Sequence, residues 1–234
     1  MDKKASYSQQ ELVQHYEQKR FQGESGKFVN QKELSIVHKL ILENPIERLT
    51  VLDSPCGTGR LSHFLEANGI KVIGIDYSEA MLKKSKNNCD SLLIRGDIMN
   101  FPIKDASLDC LVSLRFMFHY REVEPIFYQI KRALRDEGTL IFDTFNWSPK
   151  ANFLFRDQRV FIHTRAKIRA IVENLAMQVV DEVDCFVISP MLYRLFPLYL
   201  AKSLDFLETK APSWLLVRSF WCVKKSKHAG NTRS

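Results

Sequence analysis

Two aspartates and two glycines, set at the ends of two short apolar runs, are the residues of this chain best placed to do chemistry. Asp53 closes the run over residues 48–53 and stands directly before the turn Ser54-Pro55-Cys56-Gly57-Thr58-Gly59, while Asp76 closes the run over residues 71–75. Gly57 and Gly59 let the backbone turn sharply and approach a ligand where a β-carbon would collide. An acid at the tip of the second run can accept both hydroxyls of a ribose. The combination suits a nucleoside, and alone it would serve a dinucleotide equally well. Asp53 tips the balance, because a carboxylate there repels a pyrophosphate and attracts an ammonium group or a cationic ligand. The turn also departs from G-x-G-x-x-G, with Pro55 in the first glycine's place and no third glycine over residues 61–64. A further acid, Asp97, follows Gly96 where it can accept a hydrogen bond from an adenine amino group. The competing reading is that Asp53 and Asp76 are strand-end acids that cap nearby amides.

Residues in these places need strands to hold them. The run over residues 48–53 is too short for a helix and β-branched enough for a buried strand, and runs over 71–75, 91–95, 108–113 and 139–145 read as four further strands. Between them the pattern predicts helices over 60–68, closed by Gly69, over 79–86, capped by Ser78, and over 121–135, with Gly138 ending the helix and starting the next strand. Alternating elements of this kind predict a parallel sheet with helices on both faces. A helical arm over residues 1–46 precedes them, with helices over 8–20 and 30–43 joined by a glycine-containing turn at 21–27 that could move as a lid. Beyond the core at 47–146 comes a half, 147–223, with a helix over 165–177, strand-like runs over 178–188 and 214–223, and insertions at 147–164 and 189–212. The two runs predict a closing antiparallel pair at the sheet edge, within a single domain that ends in a basic tail at 224–234.

Composition sets outer limits. The 234 residues are 45% hydrophobic and 26% charged, as in an ordinary globular domain, and hold no apolar stretch long enough to span a bilayer. The start, Met-Asp-Lys-Lys, lacks the apolar segment of a secretory signal, so a cytoplasmic location is expected. Five scattered cysteines without C-x-x-C spacing indicate neither a disulfide framework nor a zinc knuckle, and the histidines lack metal-ligand spacing, so no metal is expected. The net charge of +7 draws on Lys224, Lys225, Lys227 and Arg233 near the C-terminus, and a solvated tail explains it better than nucleic-acid binding.

Taken in order, Val51-Leu-Asp-Ser-Pro-Cys-Gly-Thr-Gly-Arg60, Val72-Ile-Gly-Ile-Asp-Tyr-Ser-Glu-Ala-Met-Leu82, Gly96-Asp97, Leu108-Asp-Cys-Leu-Val-Ser113 and Glu137-Gly-Thr-Leu-Ile-Phe142 resemble the successive motifs of class I S-adenosylmethionine-dependent methyltransferases. The small-molecule branch with the ubiquinone and menaquinone methyltransferases is the most similar. The resemblance implies a Rossmann-like, doubly wound α/β sheet of seven strands, mostly parallel with an antiparallel last strand. It implies S-adenosylmethionine as cofactor, leaving as S-adenosylhomocysteine. Carried over by position, Asp53 and the turn through Ser54, Pro55, Cys56, Gly57 and Gly59 would hold the methionine part. Asp76 would bind the ribose, Tyr77 and Met81 would pack near the adenine, and Asp97 with Ile98 would bind its amino group and face. Ser113 would border the site, and Tyr16 and Arg20, with Phe28, would close over it, core packing being the other account of these three. Pro55 departs from the glycine more usual there.

Methyl transfer from a sulfonium is an in-line displacement, so alignment and exclusion of water matter most and a base is optional. The segment Ser113-Leu-Arg-Phe-Met-Phe-His-Tyr120 leaves the fourth strand at the ligand-binding crevice. There His119 can take a proton and Tyr120 can orient an acceptor, unless His119 merely bonds the next helix. Arg115 can attract an anionic acceptor or form an ordinary surface ion pair, and Phe116 and Phe118 read as packing. Residues 189–212 are unusually apolar. They fit a pocket for a hydrophobic or lipid-linked small acceptor, a peripheral membrane contact, or a plain helix covering the sheet. A protein or RNA methyltransferase and a non-catalytic cofactor-binding protein are the alternatives. No Asn/Asp-Pro-Pro-Tyr-like motif follows the fourth strand, which disfavours base N-methylation.

Overall fold

The computed structural model describes residues 23–44, 50–146, 160–193 and 195–227. A leading helix α1 (Gly23–Glu43) precedes β1 (Thr50–Asp53), α2 (Arg60–Ala67), β2 (Lys71–Asp76), α3 (Glu79–Ser85), β3 (Leu92–Arg95), β4 (Leu108–Ser113), α4 (Glu124–Ala133) and β5 (Leu134–Phe145). The second half supplies α5 (Arg165–Asn174), β6 (Met177–Cys185), the short α6 (Pro190–Tyr193), α7 (Leu198–Glu208) and β7 (Arg218–Lys225). Seven strands form one sheet in the order β3-β2-β1-β4-β5-β7-β6. The first five pair in parallel, and β7 runs antiparallel to both β5 and β6. The expected closing pair is present, with the reversed β7 lying between β5 and the edge strand β6.

Strand side chains alternate between the two faces of the sheet, and each face has its own core. Val51, Cys110, Val112, Ile141, Phe220 and Cys222 pack with α1 and α2 residues such as Val37 and Leu65. Their neighbours Leu52, Leu111, Leu140, Phe142, Trp221 and Val223 pack with α4 and α5 residues such as Phe127 and Ile168. This is why the strands read as unbroken apolar runs: both faces are covered. Local signals hold where expected. Ser78 Oγ accepts from the Met81 amide at 3.3 Å at the start of α3, and Gly69 follows α2 with φ 77°.

Four expectations are corrected. The lid turn at 21–27 is helical from Gly23 onward, with Ser25 and Gly26 buried and Ser25 Oγ donating to the Phe196 carbonyl at 2.7 Å, which ties this first turn to the body. Gly138 does not end a helix. α4 stops at Ala133 and β5 is already paired at Leu134, so Glu137 (φ 61°) and Gly138 fall in an irregularity where the register jumps from Leu108↔Leu134 to Cys110↔Thr139. Trp214 lies in a 3-10 turn (Ser213–Leu215) before β7, not in the strand. Lys224 and Lys225 belong to β7, and Lys225 is buried with its ammonium donating to the Leu134 carbonyl at 2.6 Å, so the tail cannot begin at 224. The helix expected over 8–20 and the first part of the insertion, 147–159, lie outside the described residues.

One buried cluster ties these layers together. Glu33 of α1 is fully buried and accepts from Arg115 Nε at 2.9 Å, from Arg115 Nη2 and from Arg218 Nη1, with Arg60 Nη1 at 3.4 Å. Arg218 Nε donates to Asp143 Oδ2 at 2.8 Å, and Asp143 Oδ1 accepts from the Arg115 amide at 2.5 Å. Burial alone would raise the Glu33 carboxyl, but the Arg115, Arg218 and Arg60 guanidiniums outweigh it and hold the group well below the usual carboxylate range. Removing the one charge that three arginines face leaves buried positive charge uncompensated. Glu33→Gln is therefore expected to cost about 3–5 kcal/mol of stability in urea denaturation.

Candidate functional site

Connections from β1 lead to one half of the sheet and connections from β4 to the other, and a cleft opens where they part, at the carboxyl ends of the parallel strands. Its floor is the turn after β1. The Ser54 amide donates to Val112 O and the Cys56 amide to Ile75 O, both at 2.9 Å, so the turn is stitched across the ends of β4 and β2. Gly57 (φ 56°) and Gly59 (φ 80°) both adopt left-handed backbone, and a β-carbon on Gly59 would stand 2.5 Å from Ser85 Oγ. All six residues from Asp53 to Thr58 line the cleft. The Ser54–Pro55 peptide is cis. Cys56 is buried there, and burial pushes its thiol up, away from reactivity.

The acids converge as the spacing implied, but each also serves the fold. Asp76 Oδ2 accepts from the Gly57 amide and Oδ1 from the Ser78 amide, both at 2.8 Å. Amide capping and ligand binding are thus compatible, since a carboxylate oxygen has room for a second donor. Burial raises the Asp76 carboxyl, and the Ser78 and Gly57 amides oppose it. Asp53 accepts from Ser62 Oγ of α2 at 2.8 Å. Burial pushes its carboxyl up to about 7, with the Asp76 charge adding, against the Ser62 hydrogen bond and the Arg60 charge. Across the cleft, Asp97 and the buried Ile98 and Met81 line the far wall with the half-exposed Tyr77. Asp97 Oδ1 accepts from the Met99 amide at 3.0 Å.

The mouth comes from the segment after β4. Arg115, Phe116, His119 and Tyr120 line it, with Phe116 and Tyr120 ring centroids 5.0 Å apart. Arg115 is neither a surface pair nor open to an acceptor on its forked edge, because Glu33 occupies Nε and Nη2. Phe118 packs on Phe145 at 4.8 Å and lies off the cleft. Ser113 is a correction: its hydroxyl is fully buried, without a hydrogen-bond partner among the described residues, and Leu114, one residue on, lines the cleft instead. Phe28, a half-buried residue of α1, packs against the core and does not line the cleft. Tyr16 and Arg20 lie outside the described residues.

Sequence reasoning missed Ser62, Arg60 and His163. Arg60 lines the cleft, held by Asn30 Oδ1 at 2.5 Å, and His163 is buried with Nε2 donating to the Tyr120 carbonyl at 3.1 Å, fixing the mouth. Ser62 had a local signal, one turn into the helix that follows the acid. Arg60 and His163 had none.

Strand order, the reversed seventh strand and acids at the strand tips define the class I fold of S-adenosylmethionine-dependent methyltransferases. Among solved structures, a SAM-dependent methyltransferase from Thermotoga maritima superposes with a TM-score of 0.66 at 16% identity, covering 93% of this chain and 98% of that one. Magnesium protoporphyrin IX methyltransferase from Synechocystis PCC 6803, solved with bound SAH, gives 0.63 at 17% identity over 87% and 88%. Residues 52–142 match the family model for a methyltransferase domain. A curated relative, the malonyl-[acyl-carrier protein] O-methyltransferase of Hamiltonella defensa subsp. Acyrthosiphon pisum, is 30% identical over 106 residues, which are 45% of this chain and 41% of that protein. The chain thus matches less than half the length of that relative.

The raised Asp53 carboxyl sets a pH test. A folded-state value of about 7 against an ordinary 3.8 gives stability that is complete below 3.8 and lost as pH rises through 7. Relative to Asp53→Asn, the wild type without ligand is expected to lose up to about 4 kcal/mol across that window in denaturant titrations.

Proposed function

We propose that this protein transfers a methyl group from S-adenosylmethionine to a small, hydrophobic or lipid-linked acceptor. The observation that carries the reading is the meeting of Asp53, Asp76 and Asp97 around one cleft beside a left-handed glycine turn. That donor set suits the group. Three acids and no lysine line the cleft, and both of its arginines, Arg60 and Arg115, pair with Glu33, so a cation bearing an ammonium is favoured over a pyrophosphate. When bound, S-adenosylmethionine supplies a methyl group on a cationic sulfonium. Asp53 takes the ammonium, Asp76 the ribose hydroxyls, and Asp97 with Ile98 and Met81 the adenine. Phe116 and the buried walls exclude water, which strengthens every charge contact inside. His119 and Tyr120, at the mouth, orient the acceptor, and His119 accepts the proton that an O–H or N–H acceptor must lose.

A porphyrin and a carrier-bound malonyl group in the names of two similar proteins support a small acceptor over a nucleic acid. No helix among the described residues is long and apolar enough to cross a membrane. The reading places the enzyme in the cytoplasm, where its five free, buried cysteines stay reduced.

Calorimetry with S-adenosylhomocysteine tests the assignment. The wild type should bind, and Asp76→Ala should bind at least ~10-fold more weakly, since it loses hydrogen bonds to a charged group. Wild-type affinity should rise as pH climbs through about 7 and Asp53 ionises, whereas Asp53→Asn should bind weakly at every pH. Equal affinity in wild type and Asp76→Ala would contradict the reading.

A further inference from the structure

Helix α7 has two faces of opposite character. Ala201 and Glu208 are buried against the body, and the helix's acids, Asp205 and Glu208, both turn inward to Lys32 of α1, Glu208 at 2.6 Å. Tyr199, Lys202, Ser203, Phe206, Leu207 and, just past the helix, Lys210 recur every three or four residues on the other side, and all are exposed. Tyr199 is 68% exposed, Phe206 61% and Leu207 55%, while Leu195 before the helix and Trp214 after it stand at 70% and 72%. Large apolar side chains concentrated on one face of one element are more than the scattered exposure of an ordinary surface.

We infer that this outward face of α7 is a docking surface for an anionic lipid bilayer. Charge on the page argues for that occupant. With both acids paired to Lys32, lysine is the only charged residue type on the face among the described residues, so it complements anionic headgroups. Aromatic and leucine side chains enter the acyl boundary while Lys202 and Lys210 extend to the headgroups. Lys210 Nζ already lies 5.0 Å from the Phe206 ring centroid, so apolar and basic groups share one patch. A second copy of this chain would bring lysine against lysine, which a bilayer does not. The helix is also a firm platform, fixed to α1 through Lys32 and through the Ser25 bond to Phe196. Docking does not depend on methyl transfer, so either can fail alone.

Co-sedimentation of the full chain with phosphatidylcholine vesicles, with and without phosphatidylglycerol, tests the surface. Binding is expected to the anionic vesicles only and to weaken with salt. Lys202→Glu/Lys210→Glu should lower it at least ~10-fold, and Phe206→Ser/Leu207→Ser should abolish it. Both double variants should keep the wild-type melting temperature, because every altered side chain is exposed. Failure of the wild type to bind anionic vesicles, or undiminished binding by both variants, would overturn the proposal. So would a dimer in sedimentation equilibrium that Phe206→Ser/Leu207→Ser breaks while vesicles go unbound.

Discussion

Glu33 is the fixed point of this molecule. It sits on the buried face of α1 and holds guanidiniums from the start of α2, the exit of β4 and the start of β7. Taking a carboxylate and three guanidiniums out of water is expensive, so such a cluster persists only if its geometry is good and its donors are used. Here the Arg115 fork meets the carboxylate with two nitrogens, and Asp143 adds a second acid to Arg218 and the Arg115 backbone. The consequence is positional. Arg60 follows Gly59 directly and Arg115 begins the mouth, so one carboxylate sets both the floor and the rim of the cleft.

The cluster also shapes the electrostatics inside the cleft. Asp53 and Asp76 are buried side by side, an arrangement that resists two negative charges. The Arg60 charge offsets part of that cost. A cation arriving in the cleft relieves the remainder. The amides of Gly57 and Ser78 hold Asp76 in place at the cleft. Fold and site are two uses of the same acid: Asp76 closes the glycine turn and lines the cleft.

What could be read in advance follows from the range of the interactions. β4, the Ser78 cap and the Asp53 and Asp76 tips were legible because a run of apolar residues, a cap three residues from its amide, or an acid at a strand end leaves a local trace. Gly138 misled because a glycine serves a bulge as well as a helix end, and only the pairing of Leu134 with Leu108 tells which. Ser113 was placed one residue early because its buried side chain still belongs to β4, and the cleft lining begins with Leu114, the first residue past the strand. Glu33, Arg115 and Arg218 lie far apart in sequence and meet only once the sheet has formed. Its one trace is an acid on the otherwise apolar face formed by Val29, Leu34 and Val37.

The central claim is that Asp53 and Asp76, with the turn between them, grip a cationic adenosyl donor. A crystal structure of the protein grown with S-adenosylhomocysteine tests it most directly. The account predicts the ligand in this cleft, its ribose against Asp76, its ammonium beside Asp53 and its adenine near Asp97. A ligand bound elsewhere, or seated with its ribose away from Asp76, would contradict it.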